Sequence, residues 1–162
     1  MPLYNPAAGS SGPILPFVEV SISDGAVQDL TSSAPWIIAE SSVGTDLAAT
    51  ITAAVGDRIK VIGRFMRNGA HFLDWNVLEA GVLATYLGSG TTTPLTEGDP
   101  ALYPSGSFLY STGDPVVTVT SAQRTAGQVT VALAHSGTSA GRVYCYSGYP
   151  FKLRLENMGA GA

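Results

Sequence analysis

"YPFKLRLENMGAGA", residues 149–162, alternates more cleanly than any other stretch of the chain: Phe151, Leu153 and Leu155 fall on one side, Lys152, Arg154 and Glu156 on the other. A period of two with one apolar and one charged side is the pattern of a half-buried strand. Such a strand needs a sheet to join and a second layer to cover its apolar side. Working back along the chain, "RIKVIGRFM" (58–66) repeats the pattern, with Ile59, Val61 and Phe65 opposed to Arg58, Lys60 and Arg64. "HFLDWNVL" (71–78) sets Leu73, Trp75 and Val77 against Asp74 and Asn76, and Gly81 then marks a bulge or sharp bend before "VLATYLG" (82–88).

"LAATITAAVGD" (47–57) is ambiguous in isolation. Leu47, Ile51 and Val55 have helical spacing behind Thr45, whereas the β-branched content and the Gly56-Asp57 turn suit a strand, which is the assignment adopted. "PVVTVTSA", "QVTVALAH" and "RVYCYSGY" complete the series, while 88–107 reads as a long loop rich in turn residues. Eight or nine short strands at intervals of roughly 10 to 15 residues predict an all-β fold, a jelly-roll-like antiparallel β-sandwich over residues 36–162. Residues 1–35 hold prolines at 2, 6, 13, 16 and 35 among small residues and read as an extended N-terminal arm. Within the arm only "FVEVSIS" (17–23) alternates, as an edge strand or a strand added to a neighbour's sheet.

Charged residues make up 12% of the chain, against about 25% in ordinary soluble domains. A surface so poor in charge is one that partners cover. The charge is also segregated. Residues 1–57 carry six acids and no base, net −6, while 58–162 carry eight bases and six acids, net +2. The few bases alternate with apolar residues along strands, so no nucleic-acid footprint is expected. No apolar run approaches 18 residues and no basic-then-apolar start is present. The expectation is no membrane span, no signal peptide and synthesis in a cytosol.

Candidate chemistry is sparse. "GTSAG" (137–141) matches the G-x-S-x-G elbow formally, but a strand follows where a helix is required, and both histidines, His71 and His135, precede Ser139. A hairpin loop is the expectation there, and His135 is expected as a strand-end residue near a turn. No His or carboxylate spacing describes a metal site. Asp57, Asp74, Glu79, Glu97, Asp99 and Asp114 mostly flank glycine or proline, where carboxylates bond to turn amides. Cys145 reads as a small buried thiol. The chain is therefore expected to be non-enzymatic and to need no cofactor. The aromatics Tyr103, Tyr110, Tyr144, Tyr146, Tyr149, Trp36 and Trp75 suit core and subunit contacts, or a sugar-binding surface.

The proline-containing arm, the "AVGDRIKV" (54–61) turn into a strand and the terminal "YPFKLRLEN" (149–157) strand resemble the small β-sandwich proteins of tailed-bacteriophage virions. Several of these use a jelly roll similar to tumour necrosis factor, trimeric with the final strands near the threefold axis. The 88–107 loop is longer than that pattern expects. The resemblance implies a capsid decoration or head-fibre protein, made in the host cytoplasm and carried on the capsid surface of the virion. Its partners would be a capsid or other virion protein and its own copies in a homotrimer, with neither nucleic acid nor membrane. Leu3, Tyr4, Ile14, Leu15 and Phe17 would dock the arm, and Tyr144, Tyr146 and Tyr149 would contribute to subunit contacts. The alternative is a tail-tip or fibre module that binds a host glycan or receptor through aromatics clustered in 88–110.

Overall fold

A computed structural model describes residues 15–23, 26–30, 33–41, 43–69, 72–87, 93–97, 108–111, 114–137, 141–145 and 150–161. They form thirteen strands in two antiparallel sheets packed as a sandwich, with no helix among them. The first seven are β1 (Phe17–Ile22), β2 (Ala26–Leu30), β3 (Ser33–Ile38), β4 (Ala48–Thr52), β5 (Asp57–Gly69), β6 (Phe72–Glu79) and β7 (Val82–Tyr86). The rest are β8 (Thr93–Glu97), β9 (Phe108–Ser111), β10 (Val116–Thr118), β11 (Gln128–Gly137), β12 (Gly141–Cys145) and β13 (Phe151–Ala160).

Sheet A is organised on β5, long enough to take two partners end to end along each edge. Lys60 pairs with both Val116 and Glu156, and Arg67 with both Val143 and Phe108. A residue has only two flanks, so β13 and β12 share one edge of β5, and β10 and β9 share the other. β1 and β2 lie outside β13 and β12, and β8 outside β9. Sheet B repeats the device on β11. β4 and β3 follow each other along one edge, and β6 then β7 lie beyond the other.

The core is the set of inward positions that the alternation predicts. Ile59, Val61 and Phe65 of β5, Phe151, Leu153 and Leu155 of β13, and Leu73, Trp75 and Val77 of β6 are all buried. Val129, Val131 and Leu133 of β11 complete the opposite wall. Burying each such side chain stabilises the fold by about 1.5–3 kcal/mol. Phe65, Trp75 and Phe151 meet at the centre with centroids 6.1–6.3 Å apart, Phe65 and Trp75 edge to face. Trp75 has room because its neighbour across the core is Gly63: a Cβ there would lie 2.1 Å from the indole Cζ2.

Several expectations change. The 93–97 part of the expected loop is β8, and residues 17–22, 26–30 and 33–35 of the expected arm are strands of the sheets. Pro94 and Pro35 hid two of these. Each sits in a strand paired on one side only, β8 with β9 and β3 with β11, where a missing N–H is tolerated. "FVEVSIS" is an edge strand of the chain's own sheet, in register from Phe17↔Glu156 to Ile22↔Phe151. "GTSAG" leads from β11 in sheet B to β12 in sheet A, so it crosses between sheets and is not a hairpin. His135 is buried two residues before the end of β11, and Cys145 is a buried thiol that forms no disulfide.

At one end of the sandwich the β4–β5 turn is tied to β13. Asp57 Oδ2 accepts hydrogen bonds from the Ala54 N–H at 2.9 Å and from Asn157 Nδ2 at 2.8 Å, and these hold its carboxyl below the ordinary 3.8. A group with a depressed folded pKa contributes stability that is present above its unfolded value and lost as pH falls through the folded one. The melting-temperature gap between the native chain and Asp57→Asn is therefore expected to be widest at neutral pH and to close below 3.8. A gap that persists unchanged to about pH 2 would show that Asp57 is not charged in this role.

Candidate functional site

Sheet B is not flat. Its edge strands β3 and β7 would stand about 14 Å apart across four regular strands, yet they are in contact. The curl is toward the side away from the core, because the side chains facing across the gap are outward ones. Ile38 pairs with Ala134, Tyr86 with Asn76 and Glu40 with Asp46, all alternating with buried inward residues. Ala132 and Ala134 on this outer side are consequently fully buried although they lie outside the core cluster. Small residues there leave space for the folded-over hairpin.

The bend has a local cause. Across the β6–β7 pair, Val77 opposes Thr85 but Leu78 opposes Leu83, so Ala84 is an extra residue in β7, a bulge that bends the strand. The N–H that Ala84 cannot give to the ladder is donated to Oδ1 of Asn76 at 2.9 Å, and Asn76 is fully buried. The hairpin tip is Ala80-Gly81, both with positive φ (49° and 80°), as a two-residue turn of this hand requires. Bulge and bend, the alternatives at Gly81, thus both occur, five residues apart at most.

Between the folded hairpin and β3 runs a groove of about 620 Å³ lined by Ile37, Ile38, Glu40, Asp46, Leu83 and Tyr86 among others. Val82 and Tyr86 on its rim are 66% and 44% exposed. Gly81 also borders a second depression of about 320 Å³ whose walls include Thr50, Thr130 and Gln128. Thr50 and Thr130 hydroxyls bond each other across the strands at 2.8 Å. Glu40 and Asp46, both exposed, oppose each other across their bridge.

The outer side of sheet A has a different character. Arg154 lies 3.7 Å over the ring of Phe17 and donates to Glu156 at 2.8 Å, and Lys60 stands 3.9 Å from Asp114. Arg64 and Lys152 are exposed cross-strand partners. Phe17 and Val116 there are 48% and 49% exposed.

Of the residues assigned to arm docking, Phe17 is built into β1 and Leu15 is half-buried just before it, while Leu3, Tyr4 and Ile14 lie outside the described residues. Of the residues assigned to subunit contacts, Tyr144 lies on β12, paired with Val27 and Met66, and Tyr146 and Tyr149 lie outside the described residues. His71, Ser139 and Tyr103 fall outside them as well. Among the described residues, no three His, Cys, Asp or Glu side chains are grouped to share a metal ion. What both faces can do is bind, through apolar contact and charge. The groove escaped the sequence because its walls come from strands that meet only once β7 bends; the acidic bias of residues 1–57 was its one visible trace. No family model, curated protein or solved structure matches the chain.

Proposed function

We propose that this chain is a non-enzymatic structural protein of a tailed-phage virion, a homotrimer that decorates the capsid surface and is anchored by its N-terminal segment. The observation that carries the reading is the pairing of a charge-poor composition with large apolar side chains left exposed on both outer faces: Phe17 and Val116 on sheet A, Val82 and Tyr86 on sheet B. Groups placed so are a cost to a solitary soluble molecule and an asset to one held between neighbours. Subunits bound across adjacent capsomers would stabilise the assembled shell by mass action, since they bind it and not its separated parts.

The test uses empty tailed-phage heads stripped of accessory proteins. The full chain is expected to sediment with them and to have a three-chain mass when free. A variant lacking residues 1–14, which keeps β1 in place, is expected to retain the mass and lose the heads. A full chain that is monomeric and stays in the supernatant contradicts the proposal.

A further inference from the structure

Every lysine and arginine except Arg124 lies on a strand of sheet A, and none lies on a strand of sheet B. The sheet A strands also carry Glu19, Asp29, Asp57, Glu97 and Glu156, which leaves seven bases against five acids, net +2, whereas sheet B and its β3–β4 connection carry Glu40, Asp46, Asp74 and Glu79 and no base, net −4. The two sheets therefore differ in net sign, and each has one cross-strand pair of like charge that carries its sign. On sheet A, Arg64 opposes Lys152; on sheet B, Glu40 opposes Asp46. All four are exposed, and among the described residues none has an ion-pair partner. Like charges directly opposite each other weaken the sheet that holds them. Two such pairs of opposite sign, on opposite faces of one molecule and each beside exposed apolar groups, are relieved together by a single event.

We propose that the outer face of sheet A of one copy packs on the curled outer face of sheet B of the next, with Arg64 and Lys152 set against Glu40 and Asp46. Phe17 and Val116 meet the apolar rim of the groove formed by Val82 and Tyr86. The occupant is a second copy because this chain itself carries the complement of each face in both charge and apolar content. The contact is heterologous, so its repetition closes a ring when the rotation permits, and a rotation of one third gives a cyclic trimer. Only that closure rests on the homotrimer proposed above.

Charge reversal tests it cleanly. Arg64→Glu with Lys152→Glu, or Glu40→Lys with Asp46→Lys, replaces one like-charge pair by another, so repulsion within each sheet is unchanged and only the sign offered to the neighbour differs. Mass by sedimentation velocity and fold by circular dichroism would be followed for the full chain. Each double variant alone is expected to keep the parent's circular dichroism spectrum and to self-associate at least about tenfold more weakly. A quadruple variant carrying all four reversals is expected to recover the parent's association, because its sheet A pair is then acidic and its sheet B pair basic, so every contact of the ring is again complementary. Parent association is expected to weaken between about 50 mM and about 500 mM NaCl. If the parent is trimeric and both variants keep its mass, the homotrimer stands and this interface falls. A quadruple variant that folds but fails to associate also overturns the interface, and a monomeric parent overturns both.

Discussion

Gly63→Ala is expected to destabilise the protein by about 3 kcal/mol or more, a loss of about 6 to 12 °C in melting temperature for a domain of this size. Alanine in place of glycine inside a strand usually helps, because it removes unfolded-state freedom and adds surface to pack. The sign reverses here because the added methyl would sit 2.1 Å from Cζ2 of Trp75. The indole cannot retreat: it is fully buried, with Phe65 and Phe151 against it at 6.1 Å. Adding Trp75→Phe, which removes the six-membered ring that the methyl strikes, is expected to return part of the loss. Thermal melts of the two single variants and the double form a cycle. Additive costs would mean that the two residues do not touch.

Phe151→Ala is expected to cost about 3–5 kcal/mol, since it opens a cavity at the junction of both sheets and removes a ring from the central cluster. Lys152→Ala, one residue along the same strand, is expected to change stability by no more than about 0.5 kcal/mol in the isolated subunit. Urea denaturation of the pair checks the register of β13. Equal costs at the two positions would place the strand one residue out of step.

Alternation made the central strands legible. Phe151, Leu153 and Leu155, like Ile59, Val61 and Phe65, are read correctly because each lies in a strand with one side in the core and the other in solvent. Leu73, Trp75 and Val77 alternate in the same way, although the other side of β6 is half-buried at Asp74 and buried at Asn76. The periphery was harder. β2, β3 and β8 pair on one side only, so sequence is under weaker demand there, and Pro35 and Pro94 read as interruptions when they sit at unpaired edges. The curl of sheet B was out of reach, because it depends on one N–H, that of Ala84, finding the buried amide of Asn76. Charge segregation was visible as a difference between residues 1–57 and the remainder. That the bases lie on the strands of sheet A and on none of sheet B follows only from the strand order.

The position of β13 between β1 and β5 has a consequence for biogenesis. β13 leaves the ribosome after every other strand described, yet it occupies the slot that joins the earliest of them to the longest. Until then β1 and the 57–64 part of one flank of β5 have no native mate, and a nascent polypeptide in that state offers two sticky ladders to any neighbour on the same polysome. Native sheet A thus cannot close piecemeal as its strands emerge, and its completion is a late, long-range step.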